Sequence, residues 1–163
     1  MGLKMYNKNM NVDDQIKKVK GTCTLIIRDA KTGEIKSKDV IQNTFVTVGK
    51  NSIAAKLRGA DGKGVITYCA LGTDATAPDL SDTTLGTEIE RKLVSVRSSS
   101  GNVATFQTFF TTSEANGSLR EAGLFGDDAT DTVDTGTLFS KLAINRTKTS
   151  SDTLTLSWDI TIG

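Results

Sequence analysis

From Gly21 onward, apolar residues recur at every second position in short runs broken by Gly, Asn, Asp and Ser, the pattern of strands with one buried face. In TCTLIIRD, Cys23, Leu25 and Ile27 fall on one face and Thr22, Thr24, Ile26 and Arg28 on the other. AKTGE then supplies turn chemistry at Gly33 and EIKSKDVIQ returns, which predicts a hairpin. The clearest alternation closes the chain: in LTLSWDITI, Leu154, Leu156, Trp158, Ile160 and Ile162 oppose Thr155, Ser157, Asp159 and Thr161, making Trp158 a core anchor. Between these ends, VITYCAL, IERKLVSVR, VATFQTFFTT, LREAGLF and TLFSKLAI each read as one strand, with turns at GADGKG, SSSGN and SEANG. Only KNSIAAKLRG breaks the rhythm, and it predicts one short helix. Ile53 and Leu57 lie about one turn apart, Ala54 and Ala55 favour helix, and Gly59 is placed to stop it.

The expectation is a mainly β, antiparallel β-sandwich, jelly-roll-like, formed by residues 21–163 as a single domain with one short helix. Residues 1–20 lack the periodicity and are expected to be an N-terminal arm, extended or ordered on a partner.

Composition narrows the chemistry. A chain of 163 residues is enough for one domain with its own core, and no apolar run approaches the ~20 residues of a membrane-spanning helix. The start, MGLKMYNKNMNVDDQIKK, has no apolar stretch of a secretory leader, and Tyr6 stands where a myristoylation site wants Ser or Thr. Cys23 and Cys69 sit inside apolar runs and are expected to be buried free thiols. The absence of histidine excludes Ser-His-Asp and Cys-His nucleophile systems, and two cysteines are too few for a structural zinc site. Net charge is +1, but residues 1–58 carry 12 Lys and Arg against 5 Asp and Glu, whereas residues 59–163 carry 8 against 14. Such halves can dock head to tail, or interleave in the fold and cancel.

Three places carry candidate chemistry. The first is LGTDATAPDLSDTTLGTE, residues 71–88, with the only proline, Pro78, and the acids Asp74, Asp79, Asp82 and Glu88. The spacings of 5 and 3 between its aspartates match no metal motif, so the segment is expected to cap the sandwich or touch a neighbouring subunit. The second is GDDATDTVDTG, where Asp127, Asp128, Asp131 and Asp134 are weak calcium candidates against a solvated loop tip. The third is Arg120 and Glu121. As neighbours on a strand they point to opposite faces and cannot act on one substrate atom. Each is expected to pair across the sheet, with Glu90, Arg91 or Arg97, or at a subunit contact. Arg120, Glu121, Asp79 and Asp82 are therefore the interaction candidates. No catalytic residue, cofactor or enzymatic activity is expected.

The ordered segments YCALGTDATAPDLSDTTLGTEIERK, SEANGSLREAGLF and TLFSKLAINRTKTSSDTLTLSWDITI resemble a widespread set of tailed-bacteriophage virion proteins. TFVTVGKNSIAAKLRG is similar to their entry into a short helix, and the likeness covers most of the chain after Asn43. Thr84, Thr87 and Val48-Gly49 depart from the usual residues without upsetting the order. The resemblance implies a structural part of a phage particle, assembled in the host cytoplasm. The partners expected are copies of itself, as a trimer or lattice neighbours, and the major capsid protein or other virion proteins, with no nucleic acid and no membrane. Among the virion parts it leans toward a capsid decoration or head-fibre attachment protein, because no repetitive shaft is present. The alternative is a tail-fibre or baseplate protein, in one form a host-carbohydrate-binding module.

Overall fold

The computed structural model describes residues 19–162. The strands are β1 (Lys20–Asp29), β2 (Ile35–Gln42), β3 (Thr44–Phe45), β4 (Ile66–Gly72), β5 (Glu88–Leu93), β6 (Val96–Ser100), β7 (Val103–Phe110), β8 (Gly117–Gly126), β9 (Thr137–Lys148) and β10 (Asp152–Thr161), with one helix, α1 (Thr47–Leu57). They form two five-stranded antiparallel sheets, ordered β2-β1-β10-β7-β6 and β3-β9-β8-β4-β5. The fold is the mainly β, sandwich-like architecture that the alternation predicts. Strand β1 begins at Lys20, inside the predicted arm; the rest of that arm, residues 1–18, lies outside the described residues. Among the described residues no helix is long and apolar enough to cross a membrane.

The hairpin forms where the sequence places it. Asp29 Oδ1 accepts the Lys31 and Thr32 amides at 2.9 and 3.0 Å, and Gly33 takes a positive φ of 75° that closes the turn. IERKLVSVR, expected as one strand, is two. The Val94 amide bonds to the Thr67 carbonyl of β4 (2.9 Å), while the next amide, Ser95, bonds to the Gln107 carbonyl of β7 in the other sheet (2.8 Å). The chain thus switches sheets between consecutive residues, and buried Val94 is the pivot. Val96–Ser100 are exposed along their whole length, so no inward period in the sequence marks the crossing.

Trp158, Leu25, Phe110, Leu71, Leu124, Leu154 and Leu156 pack between the sheets. Ile162, read as the last member of that face, instead lies beyond β10 and is 53% exposed. Both cysteines are free and buried, and burial pushes the Cys69 thiol up to about 12. A second, smaller cluster of Val46, Ala70, Leu85, Phe125 and Leu138 covers the other side of the second sheet. Its members alternate along the strands with the main core: Ala70 between Cys69 and Leu71, Phe125 after Leu124, Leu138 before Phe139. The inner strands β9, β8 and β4 of this sheet are therefore buried on both faces over much of their length.

Helix α1 starts three residues earlier than the sequence predicts because Gly49 lets it lie directly on β9. A Cβ at Gly49 would stand 2.5 Å from the Phe139 Cα and 2.7 Å from its carbonyl oxygen, both rigid backbone atoms. The Thr47 amide, one of the helix's unpaired donors, bonds to the Leu80 carbonyl at 2.9 Å, tying the helix start to the 73–87 loop. The Gly59 amide, at φ 89°, closes the other end on the Lys56 carbonyl at 2.9 Å. Gly49→Ala is expected to cost about 1–3 kcal/mol by forcing helix and strand apart. Chemical denaturation should show it, and a Gly64→Ala control is uninformative because Gly64 has a positive φ of its own.

Candidate functional site

The outer side of the second sheet gathers most of the candidate residues. There the two Leu-Gly-Thr tripeptides form the neck of a loop, with the Thr73 amide donating to the Thr87 carbonyl at 3.0 Å. Leu71 points into the main core, and Leu85 into the outer cluster. The glycines between are small for a reason: a Cβ at Gly72 would overlap the Glu121 carboxylate, and one at Gly86 the Asp74 carboxylate.

Glu121 is fully buried beneath this neck. It accepts the Gly86 amide on Oε2 (2.9 Å) and the Thr87 amide on Oε1 (2.8 Å), and it pairs with Lys141 Nζ at 3.2 Å. Lys141 is 3% exposed and reaches Asp82 Oδ2 at 3.2 Å, so one ammonium joins the sheet to the far side of the loop. A buried charge is tolerated when it is paired and its remaining positions are hydrogen-bonded. The loop's other acids hold its own backbone: Asp74 Oδ1 accepts the Thr76 amide and hydroxyl, both at 2.9 Å, and Asp79 Oδ1 accepts the Ser81 amide (2.8 Å) and hydroxyl (2.6 Å). These donors keep both carboxyls below the ordinary range, the Thr76 amide leading for Asp74 and the Ser81 hydroxyl for Asp79. The 73–87 loop is thus a cap on the sandwich, as the sequence suggests.

Glu121 and Arg120 each pair across the sheet, as expected, but with residues of β9 rather than with Glu90, Arg91 or Arg97. Arg120 Nη1 donates to Asn145 Oδ1, and neither side chain meets Glu90, Arg91 or Arg97. Arg91 serves a different loop. Its side chain and that of Glu88 are 2% and 1% exposed and form an ion pair, with Nη2 donating to Oε2 at 2.7 Å. The guanidinium lies over the Phe125 ring, 4.7 Å from its centroid. Nη1 donates to the carbonyls of Thr130 (3.0 Å) and Thr135 (3.1 Å). The Asp134 amide bonds to Glu88 Oε2 at 3.3 Å. Residues 127–136, the calcium candidate, are therefore tethered by an arginine from β5.

Within that loop the four aspartates diverge. Asp127, at φ 60°, turns inward to accept the Ser52 hydroxyl of α1 at 2.6 Å and to pair with Lys63 at 3.4 Å, whereas Asp128, Asp131 and Asp134 are exposed. Among the described residues no group of three or more His, Cys, Asp or Glu side chains comes together to hold a metal ion.

A third network sits at the start of β10. Lys36 Nζ bridges Asp152 (2.6 Å) and Asp29 (3.2 Å). Buried Lys148 donates to Asn116 Oδ1 at 2.9 Å, and burial lowers its pKa. Lys36 above all holds the Asp152 carboxyl at about 2, and the Thr32 amide above all holds Asp29 at about 2. Both values lie below the ordinary 3.8, so the stability they contribute is complete above pH about 4 and is lost as pH falls toward 2. Lys36 is shifted up, chiefly by Asp152, so its share persists below 10.5 and fades only at higher pH. Melting curves between pH 5 and pH 2 (roughly the range over which such carboxylates titrate) should fall less steeply for Asp152→Asn than for the wild type. Equal slopes would contradict the assignment.

Lys141 and Lys148 are the residues sequence reasoning passes over, and Arg91 enters it only as a partner for Arg120 or Glu121. A lysine inside the apolar run LFSKLAI was the available signal, since a cation there needs a buried partner. No family model, curated protein or solved structure matches the chain.

Proposed function

We propose that this chain is a structural component of a tailed-phage virion, a capsid decoration or head-fibre attachment protein that binds the particle surface as an oligomer. The observation that carries this reading is that the separate segments of the virion-like pattern meet one another in space. The Leu-Gly-Thr neck closes on Glu121 of SLREAGLF, and Glu121 pairs with Lys141 of TLFSKLAI. Asn116 of SEANG accepts from Lys148 at the start of KTSSD. A pattern whose members contact each other across 20 to 35 residues of sequence specifies one fold rather than four unrelated turns.

Within that pattern Glu121 and Asp82 hold the loop to the sheet and Asp74 and Asp79 brace the loop's own backbone, which suits a rigid scaffold. Neither the 71–88 nor the 127–136 loop carries an aromatic residue on which a sugar ring would stack, which favours a scaffold over a host-glycan adhesin. The test is co-sedimentation of the purified protein with particles that lack it, together with a glycan array. Saturable binding to particles is expected. A protein that ignores particles and binds a glycan overturns the reading.

A further inference from the structure

We infer that α1 and the 127–136 loop together form a self-complementary patch, through which a second copy of this chain docks about a two-fold axis. The helix of each subunit lies on the acidic loop of the other. This deepens the oligomer reading above and rests on it.

The two surfaces are opposite in charge. Between Thr47 and Gly64 the chain carries Lys50, Lys56, Arg58 and Lys63 against one acid, Asp61. Lys50, Lys56 and Arg58 are exposed and enter no ion pair among the described residues. Residues 127–136 hold four aspartates and no cation of their own; Asp128, Asp131 and Asp134 are exposed and likewise meet no cation side chain. Each surface also shows an apolar side chain to solvent, Leu57 at 85% exposure and Val133 at 49%.

They are also adjacent. The Ser52 hydroxyl of α1 holds Asp127 at 2.6 Å, and a cavity of about 260 Å³ lined by Val48, Ser52, Ala55 and Thr137 lies between helix and loop. Within one chain the exposed charges do not pair, because Arg91 and Glu88 hold the loop by its backbone at Thr130, Thr135 and Asp134. Side-by-side patches of opposite sign satisfy each other when a second copy is turned about a two-fold axis, each residue pair then occurring twice. A polyanion is the poorer occupant of the helix, since the neighbouring aspartates repel it.

The test is sedimentation equilibrium of the whole chain with charge-reversed variants. Lys56→Glu/Arg58→Glu and Asp131→Lys/Asp134→Lys should each weaken self-association at least about tenfold, and raised salt should weaken the wild type. An equimolar mixture of the two variants should associate as a heterodimer, because the reversed helix of one then meets the reversed loop of the other while the second contact keeps its wild-type charges. Lys31→Glu/Lys38→Glu, a charge change of equal size on the exposed β1–β2 hairpin, serves as the control and should leave association unchanged, with thermal melts confirming that every variant is folded. Variants that associate as the wild type does, or a mixture that stays dissociated, would remove this surface while leaving the oligomer reading intact. A wild-type chain that is monomeric at every concentration would remove both.

Discussion

Glu121→Ala is expected to lower the unfolding free energy by about 3–5 kcal/mol, the range for deleting one member of a buried ion pair. The arithmetic follows from what the carboxylate leaves behind. The Gly86 and Thr87 amides lose their acceptor, and the Lys141 ammonium, nearly sealed from solvent, retains only Asp82. For a domain of this size each kcal/mol shifts the melting temperature by roughly 2–4 °C, so a fall of roughly 10 °C is the readout. The loss should be concentrated in the cap: amide exchange at Thr73, Gly86 and Thr87 should accelerate more than exchange in β1 or β10. Replacing both charges, Glu121→Gln with Lys141→Met, should cost less than the sum of the two single changes, since neither of the two sealed charges is then left without its partner and Asp82 keeps part of its contact with water. Additive losses would show that Glu121 and Lys141 act independently.

The second large effect is expected at Arg91. Arg91→Ala strands a buried Glu88 and releases the carbonyls of Thr130 and Thr135, for a loss again of about 3–5 kcal/mol. Arg91→Lys separates charge from geometry. Lysine restores the positive charge but not the planar fork that spans Glu88, two carbonyls and the Phe125 face, so it should recover less than half of the loss. In both variants the 127–136 loop should gain protease sensitivity while the 73–87 cap stays protected. Full rescue by lysine would mean that charge alone holds the loop.

These two sites show where sequence reading stops. Inward faces were legible wherever burial depends only on the strand's own period, as for Cys23, Leu25 and Ile27 or Leu154, Leu156 and Trp158. The second sheet did not follow that rule, because its outer side is covered by segments distant in sequence: Leu85 from the cap and Val46 before α1. Glu121 read as a residue paired across the sheet or at a subunit contact, with nothing to show that a loop seals it, since the neck that buries it arrives 34 and 35 residues earlier in the chain. Arg91 is likewise engaged by a loop 39 and 44 residues later. Periodicity records a residue's place on its own strand, and it carries no mark of what a returning loop will lay over it. The adjacent positions of Arg120 and Glu121 did announce different environments, one at Asn145 and the other sealed beneath the cap. The four aspartates of 127–136 could be read as a cluster in one dimension, yet a positive φ at Asp127 and at Asp134 turns them apart.

The central claim is that this chain is a built-in part of a phage particle, and its copy number in purified particles tests that most directly. Quantitative mass spectrometry against the major capsid protein should find the chain at hundreds of copies per particle, as a head-lattice decoration requires. A count of about 3, 6 or 12 would move it to a vertex, neck or baseplate and contradict the decoration reading. Its absence from purified particles would contradict the account altogether.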